Sequence, residues 1–333
     1  MRAVLLNDYG PVENLSPGEV DKPAAASGEV LVKVAFAGLR WGDIMQRNGL
    51  PSRARPTPFI AGQEASGVVE SVGEGVTDFA VGQRVIALPM QGAFAEYVAL
   101  PAERCIPLPD AAPLDRCLAY PVNMRTAHLM IYAWAKVQDG ETVLLHAAAG
   151  GVGLMALQIL KRRFSNVRVI GLVGRDEKAA IARAHGCDHV INYKTHDYVE
   201  EVTKITGPKA TGFMTGGEQG GGVDVSFNGV SGTTLVTDPQ VIRKRGRWVI
   251  YGYAGGRNII DTSPFGYDAI TIMPFSSIAW RGTPEDEAAR KFTMDWLANE
   301  PLLEPTVYPL EEVAKAERAM EAGETVGKVV FKI

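Results

Sequence analysis

The chain is poor in cysteine, and what it has is badly spaced for bridging or for binding metal. Three cysteines occur in 333 residues, Cys105, Cys117 and Cys187. This odd number without Cys-x-x-Cys spacing supports neither a disulfide framework nor a structural zinc knuckle and predicts three packed thiols. Histidine is scarce as well. The 5 residues His128, His146, His185, His189 and His196 share no ligand spacing and read as surface or packing residues. No apolar run reaches the roughly 18 residues of a membrane-spanning helix, so membrane insertion is not expected. Met1-Arg2-Ala3-Val4-Leu5 reads as the start of a strand rather than a signal peptide, and a cytosolic location is expected. Neither sign of charge is in excess. Lys and Arg total 34 against 38 Asp and Glu, a formal net charge of −4. With the two signs interspersed, no electropositive field is available for nucleic acid or an anionic membrane.

What is present is a soluble globular chain long enough for two domains, 46% hydrophobic and 22% charged. To about Leu118 it reads as short strands between turns: "EVLVKVAFAG" (29–38), "ASGVVESVG" (65–73), "GQRVIAL" (82–88) and "FAEYVAL" (94–100). That texture predicts a small, partly closed β domain. From about Ala119 the pattern becomes strand, glycine-rich turn, helix, strand, the grammar of a parallel sheet with helices on both faces. Helices are expected at 286–299 and 310–322, and the terminal "GKVVFKI" (327–333) alternates like a strand that returns to the first domain. The glycine-rich segment 211–222 is read as an exposed loop.

The clearest chemical signal is "ETVLLHAAAGGVGLMALQIL" (141–160): a buried-strand run, a tight turn of small residues, then helical periodicity. Ala149, Gly150, Gly151, Val152 and Gly153 form the turn. Its glycines let the backbone approach a pyrophosphate, and the helix start supplies free N–H groups and a positive dipole end. A strand before, a helix after and a second strand at the expected distance favour a dinucleotide site over an ordinary turn. The second strand, "NVRVIGLVG" (166–174), ends without the acidic residue that would hold a ribose 2′-hydroxyl. It ends instead in Gly174 and Arg175, followed by Lys178. A small residue leaves room, a guanidinium fork and an ammonium meet a 2′-phosphate, and Asp176 and Glu177 suit the start of the next helix. NADPH is therefore the expected cofactor.

With "AAAGGVG", "GRDEKAAIARAHGCDHVINY" and "GEGVTDFAVGQRVIAL", the chain resembles the zinc-independent branch of the medium-chain dehydrogenase/reductase superfamily, the quinone oxidoreductase-like proteins. It is also similar to the vesicle amine transport protein-like subgroup and to polyketide enoyl reductase modules. The resemblance implies an α/β fold with a GroES-like β domain plus a Rossmann doubly wound parallel sheet. The implied divisions are 1–118 for the first part of the catalytic domain, 119–265 for the NADPH-binding domain and 266–333 for an edge strand followed by a return to the catalytic domain. It further implies a cofactor cleft at the domain junction and a homodimer, for which "DAITIMPFSSIAW" (268–280) is the candidate edge. Gly174, Lys178 and Tyr193 match the residues that grip the 2′-phosphate in such relatives.

In zinc-dependent relatives the metal ligands are a Cys, the His of Gly-His-Glu, and a later Cys or Asp. Here those positions correspond to Arg40, Gln63 in "AGQEASG" (61–67) and the neighbourhood of Val122 and Asn123, which is no usable zinc triad, so no metal is expected. Arg40 stands where many zinc-free relatives have Asn, and it is the candidate catalytic cation together with Asp43; the plainer alternative is a structural ion pair between the two. Asn123 and Thr126 are placed near the nicotinamide, with helix capping as the competing role. Asn228, Gly252 and Tyr253 follow later parallel strands, where such sheets bind ligands. Lys328 is a further candidate for reaching the cofactor. Trp41 joins the cofactor set, and with Phe59 and Phe94 it is a candidate lining for an apolar acceptor pocket, such aromatics being otherwise core.

The expected function is hydride transfer from NADPH to a small-molecule acceptor, a quinone or an activated alkene. Two alternatives stay open: an enoyl-thioester or unsaturated-acid reductase, and a non-catalytic NADPH-binding protein.

Overall fold

Strand-forming and helix-forming segments sort into two units in the computed structural model, which describes residues 1–50, 55–210 and 220–333. One unit comprises Met1–Val122 with Phe292–Ile333, the other Asn123–Lys291. Most of the glycine-rich segment 211–222 lies outside the described residues; of it, Gly220 forms an isolated bridge with Lys209.

The first unit is built around strand Glu29–Leu39, whose residues Val30, Val32 and Ala37 are fully buried. Its sheet runs in the order Thr306–Pro309, Val329–Lys332, Glu29–Leu39, Ala65–Val72, Arg84–Ala87, Cys105–Pro107, with Tyr97–Pro101 also pairing to the central strand. The terminal segment thus pairs antiparallel with the central strand, Val330 opposite Gly38. A smaller sheet holds Leu15–Glu19, Arg2–Leu6 and Phe59–Ile60. Phe94 and Phe331 meet edge to face at 5.0 Å in the core, an arrangement aromatic pairs prefer. Phe59 belongs to the same core, so Phe59 and Phe94 take the packing role that was their alternative.

The second unit carries six parallel strands in the spatial order His189–Asn192, Arg168–Val173, Thr142–Leu145, Val223–Asn228, Ile242–Ile250, Thr271–Pro274. Numbered within the unit this is the doubly wound order 3-2-1-4-5-6, and it reverses between Thr142–Leu145 and Val223–Asn228. The central strands read as continuous apolar runs because helices cover both faces; Val143, Leu144, Leu145, Val169 and Ile170 have no exposed surface. Helices Gly151–Arg163, Asp176–Ala184, Tyr198–Thr206 and Thr234–Val241 make the crossovers. The expected helix at 286–299 runs over Pro284–Asn299, and the one at 310–322 divides into a tight turn, Leu310–Glu312, and helix Val313–Glu321. Cys105, Cys117 and Cys187 are buried free thiols, and burial pushes each of them up to about 12.

Candidate functional site

The turn after Thr142–Leu145 is shaped by close backbone packing. A Cβ on Gly153 would lie 2.2 Å from the Ala147 carbonyl oxygen, so only glycine lets the helix start this near the strand end. Gly150 occupies the N-cap position in an extended conformation, and no side chain caps helix Gly151–Arg163. Its first N–H groups therefore lack a side-chain partner, which is the condition for holding a phosphate. Ala149 is buried, and Gly151 and Val152 are half-buried at the helix start.

The end of the next strand supplies the second part. A Cβ on Gly174 would stand 3.4 Å from the Tyr193 hydroxyl, so the glycine and the tyrosine share one corner. Arg175, exposed, is the N-cap residue of helix Asp176–Ala184, and Lys178 is half-buried within it. Asp176 accepts a hydrogen bond from Asn192 Nδ2 at 2.8 Å, in keeping with its expected role at the helix start. Tyr193 meets Gly174, and Arg175 and Lys178 belong to the start of the helix that follows; a hydroxyl, a guanidinium and an ammonium are groups that suit a phosphate monoester, so the residue types present fit NADPH.

Beyond the reversal point, Asn228 ends its strand with no exposed surface. Its Nδ2 donates to Thr234 Oγ1 at 2.8 Å and to Asp238 Oδ2 at 2.9 Å, while its Oδ1 accepts from the N–H groups of Val230 at 3.0 Å and Ser231 at 2.8 Å. The amide is thus spent on shaping the turn. Ser231 holds φ at +60°, a conformation that costs a non-glycine residue about 1–2 kcal/mol, and its hydroxyl donates to the Gly252 carbonyl at 2.6 Å. A Cβ on Gly252 would be 2.4 Å from the Gly229 carbonyl oxygen, which fixes that residue type too. Tyr253, next in the chain, is 50% exposed. Asn123 and Thr126 lie along a helical run through Tyr120–Met124 and Arg125–His128 whose first part is widened by i→i+5 bonding; no side-chain cap involves them, so capping is not their role.

In the first unit, Arg40 precedes helix Trp41–Arg47. Its guanidinium donates to Gln63 Oε1 at 2.6 Å, and its Nε stands 3.7 Å from Glu64. Asp43 accepts the backbone N–H of Arg40 at 2.8 Å, so the link between the two is a helix cap rather than a side-chain ion pair. Burial raises the Asp43 carboxyl to about 6, against the pull of the Arg40 charge. Lys328 is buried, donating to the Leu39 carbonyl at 3.0 Å and pairing with Glu64. The ammonium expected to reach the cofactor is committed to that pair, and burial, then the like charge of Arg40, lowers its pKa. Trp41 is half-buried at the helix start.

Gln63 and Arg40, the positions that suggested a lost metal site, are therefore brought together. Among the described residues no group of three or more His, Cys, Asp and Glu could hold a metal. Three residues were not singled out in the sequence: Glu64, His146 and Asp238. His146 Nε2 is 2.9 Å from Asp238 Oδ1, with both side chains fully buried. Glu64 stood inside a quoted motif, but nothing at position 238 distinguishes it from an exposed helical acid.

A family model described as zinc-binding dehydrogenase matches residues 151–298, and one described as alcohol dehydrogenase GroES-like domain matches 26–110. A 2-haloacrylate reductase from a Burkholderia species is 34% identical over 99% of this chain and 98% of its own. A zebrafish (Danio rerio) synaptic vesicle membrane protein VAT-1 homolog is 31% identical over 99% of this chain and 69% of its own. The Escherichia coli quinone oxidoreductase solved with NADPH superposes with a TM-score of 0.86, at 26% identity and full coverage of both chains. The chain belongs to the medium-chain dehydrogenase/reductase superfamily, in its quinone oxidoreductase-like group, and is an NADPH-dependent oxidoreductase. Zinc, which the first description implies, does not fit here: a guanidinium and an amide, hydrogen-bonded to each other, are not zinc donors.

Proposed function

We propose that the chain reduces quinones or activated alkenes at the expense of NADPH, without zinc. NADPH supplies the hydride; the chain binds, orients and supplies electrostatics. Hydride addition moves an electron pair of the acceptor onto its carbonyl oxygen, leaving an enolate or hydroquinone anion that solvent protonates. A cation with spare donor capacity stabilises that charge. The observation that carries this reading is Arg40, held by Gln63, with its buried Nε making no hydrogen bond among the described residues and standing 3.7 Å from Glu64. Asp43 caps the helix behind Arg40 and is the second candidate of the catalytic set. In the second unit the 149–153 turn takes the pyrophosphate, and Gly174, Arg175, Lys178 and Tyr193 take the 2′-phosphate. Asn123, Thr126, Asn228, Gly252 and Tyr253 belong to the nicotinamide half.

A second reading, reduction of an unsaturated acid, is favoured by the same guanidinium, which can pair with a carboxylate, and by the similarity to a protein named 2-haloacrylate reductase. The two are separated by steady-state oxidation of NADPH and NADH, with and without chelator, against quinones, 2-alkenals, enoyl thioesters and 2-haloacrylates. Chelator-sensitive turnover sinks the zinc-free proposal, and turnover confined to acids selects the second reading. For the cofactor corner, Lys178→Glu is expected to raise the Kd for NADPH by about 10–100-fold, given charge-assisted bonds worth about 1.5–3 kcal/mol, and to leave NADH within about twofold. Equal loss for both in a fluorescence titration removes the 2′-phosphate assignment. We further propose a cytosolic homodimer joined along the Thr271–Pro274 edge strand. No helix among the described residues is long and apolar enough to cross a membrane.

A further inference from the structure

The most saturated polar group among the described residues is a carboxylate buried in the second unit. Asp238 has no exposed surface. Its Oδ1 meets His146 Nε2 at 2.9 Å and accepts from the Tyr198 hydroxyl at 2.8 Å; its Oδ2 accepts from Ser226 Oγ at 2.8 Å, Asn228 Nδ2 at 2.9 Å and Trp248 Nε1 at 2.9 Å. Burial alone would push this carboxyl up, but His146, then Tyr198 and Ser226, more than offset that and hold it below the ordinary carboxylate range.

The donors come from particular places. His146 follows strand Thr142–Leu145 and opens into the 147–153 turn; Ser226 and Asn228 lie on Val223–Asn228; Trp248 lies on Ile242–Ile250. One carboxylate thus ties together the strands on both sides of the reversal point and the next strand. Its most specific act concerns Asn228. An amide has one donating and one accepting end, and a charged acceptor at Asp238 Oδ2 leaves only one orientation: Nδ2 inward, Oδ1 toward the N–H groups of Val230 and Ser231. Ser231 in turn reaches the Gly252 carbonyl. The flip of a buried amide therefore determines the shape of the turn 229–232 and its bond to the 252 turn.

We propose that Asp238 is a positioning residue for NADPH: by fixing the Asn228 amide it holds the 229–232 turn in the conformation that receives the nicotinamide half. This rests on the assignment of the 228–232 and 252 turns to the cofactor site. Asp238 itself touches neither cofactor nor acceptor.

The test uses NADPH as probe with four variants of the full chain. The readouts are Kd by fluorescence titration, hydrogen exchange of the Val230 and Ser231 amides in the cofactor-free protein, and Tm. Asp238→Asn is expected to raise Kd and accelerate both amides by about tenfold or more, the scale of one charge-assisted hydrogen bond. Ser226→Ala, which removes a different donor to the same oxygen, should lower Tm yet leave Kd and exchange within about twofold, since a net hydrogen bond is felt where it is made. Asn228→Asp sets two carboxylates against each other at the 2.9 Å contact. It should bind NADPH poorly at pH 8 and recover toward wild type, compared at equal pH, near pH 5, where a shared proton restores the donor. Besides Asp238, the titratable groups around that pair among the described residues include His146, Tyr198 and Tyr251, whose ring packs against Gly229, all still present in the variant.

If Asp238→Asn folds with lowered Tm but unchanged Kd and unchanged exchange, Asp238 is a core residue and the proposal is wrong. If Asp238→Asn does not fold, Asn228→Asp decides, and a Kd that tracks wild type at both pH values overturns it. Gly252→Ala distorts the same turns directly. A raised Kd there with none in Asp238→Asn refutes the positioning role alone, whereas no change in either removes the turns from the cofactor site.

Discussion

Two buried polar centres, one in each unit, solve the same physical problem in opposite ways. In the second unit the Asp238 carboxylate is saturated by donors from two strands, a helix and the residue that follows the first strand. In the first unit Arg40, Asp43, Glu64 and Lys328 crowd together, yet Arg40 Nε, Asp43 Oδ1 and Glu64 Oε2 are buried without a hydrogen-bond partner. An unmade buried hydrogen bond costs about 1–3 kcal/mol, and native proteins keep such groups rarely and for cause. The Asp238 carboxylate holds shape, although His146 Nδ1 beside it also lacks a hydrogen-bond partner among the described residues. The other centre leaves one donor, Arg40 Nε, and two carboxylate oxygens without such a bond, which agrees with the role proposed for Arg40.

The largest expected effect tests whether the first centre is as fragile as its geometry implies. Lys328→Met leaves Glu64 charged and buried with Arg40 at 3.7 Å, and should cost about 3–5 kcal/mol, the penalty for breaking one side of a buried pair. The double change Lys328→Met with Glu64→Leu should recover most of that loss in urea denaturation. If it does not, the pair contributes stability outright and the contrast between the centres narrows.

The next prediction concerns pH. Because the folded Asp43 carboxyl sits near 6, above its ordinary value of 3.8, the folded state holds the extra proton between those values. Stability from this group is therefore greatest in acid, declines as pH rises from about 4 to 6, and is level above that, a loss on the order of 3 kcal/mol. Asp43→Asn, which retains a carbonyl acceptor for the Arg40 N–H, should flatten that part of the stability profile. A wild-type profile that rises over the same window would show that Asp43 ionises freely in the folded protein.

On the saturated side, Tyr198→Phe removes one of the donors to Asp238 and should cost about 1.5–3 kcal/mol, the ordinary value for a bond to a charged group. A loss as large as that of Lys328→Met would mean that the carboxylate has no donor to spare. The smallest effect on binding is the most informative about chemistry. Arg40→Asn should change the ratio of quinone to acid turnover by about tenfold or more while the Kd for NADPH stays within about twofold. An unchanged acceptor profile returns Arg40 to the structural residues.

Much of the fold could be read from the sequence because its signals are local. "EVLVKVAFAG" is interrupted by Lys33 and "TVLLH" is continuously apolar, which separates a strand with one partly exposed face from one in a sheet covered on both faces. The phosphate turn was legible because glycine is the only residue that fits 2.2 Å from a carbonyl oxygen, a demand that backbone geometry imposes on composition. Gly174 was legible at the end of its strand and Tyr193 came from family resemblance, and the structure sets them side by side. The surroundings of Lys328 were not legible: a lysine that opens a strand is usually solvated, and only the return of that strand beside Glu29–Leu39 buries it against Glu64.

The sequence by itself determined the two textures, the dinucleotide turn and the preference for a 2′-phosphate, since each depends on neighbours within a few residues or on the spacing of one crossover. Only the tertiary structure decided that Asp238 is buried rather than solvated, and that Asn228 is spent on a turn. It also decided that Arg40 faces Gln63 and not Asp43. The burial partners that set those outcomes, Gln63 for Arg40, His146 for Asp238 and Asp238 for Asn228, lie 10 to 92 residues away, and the energy of a polar group is set by which partners replace water once the chain has closed around it.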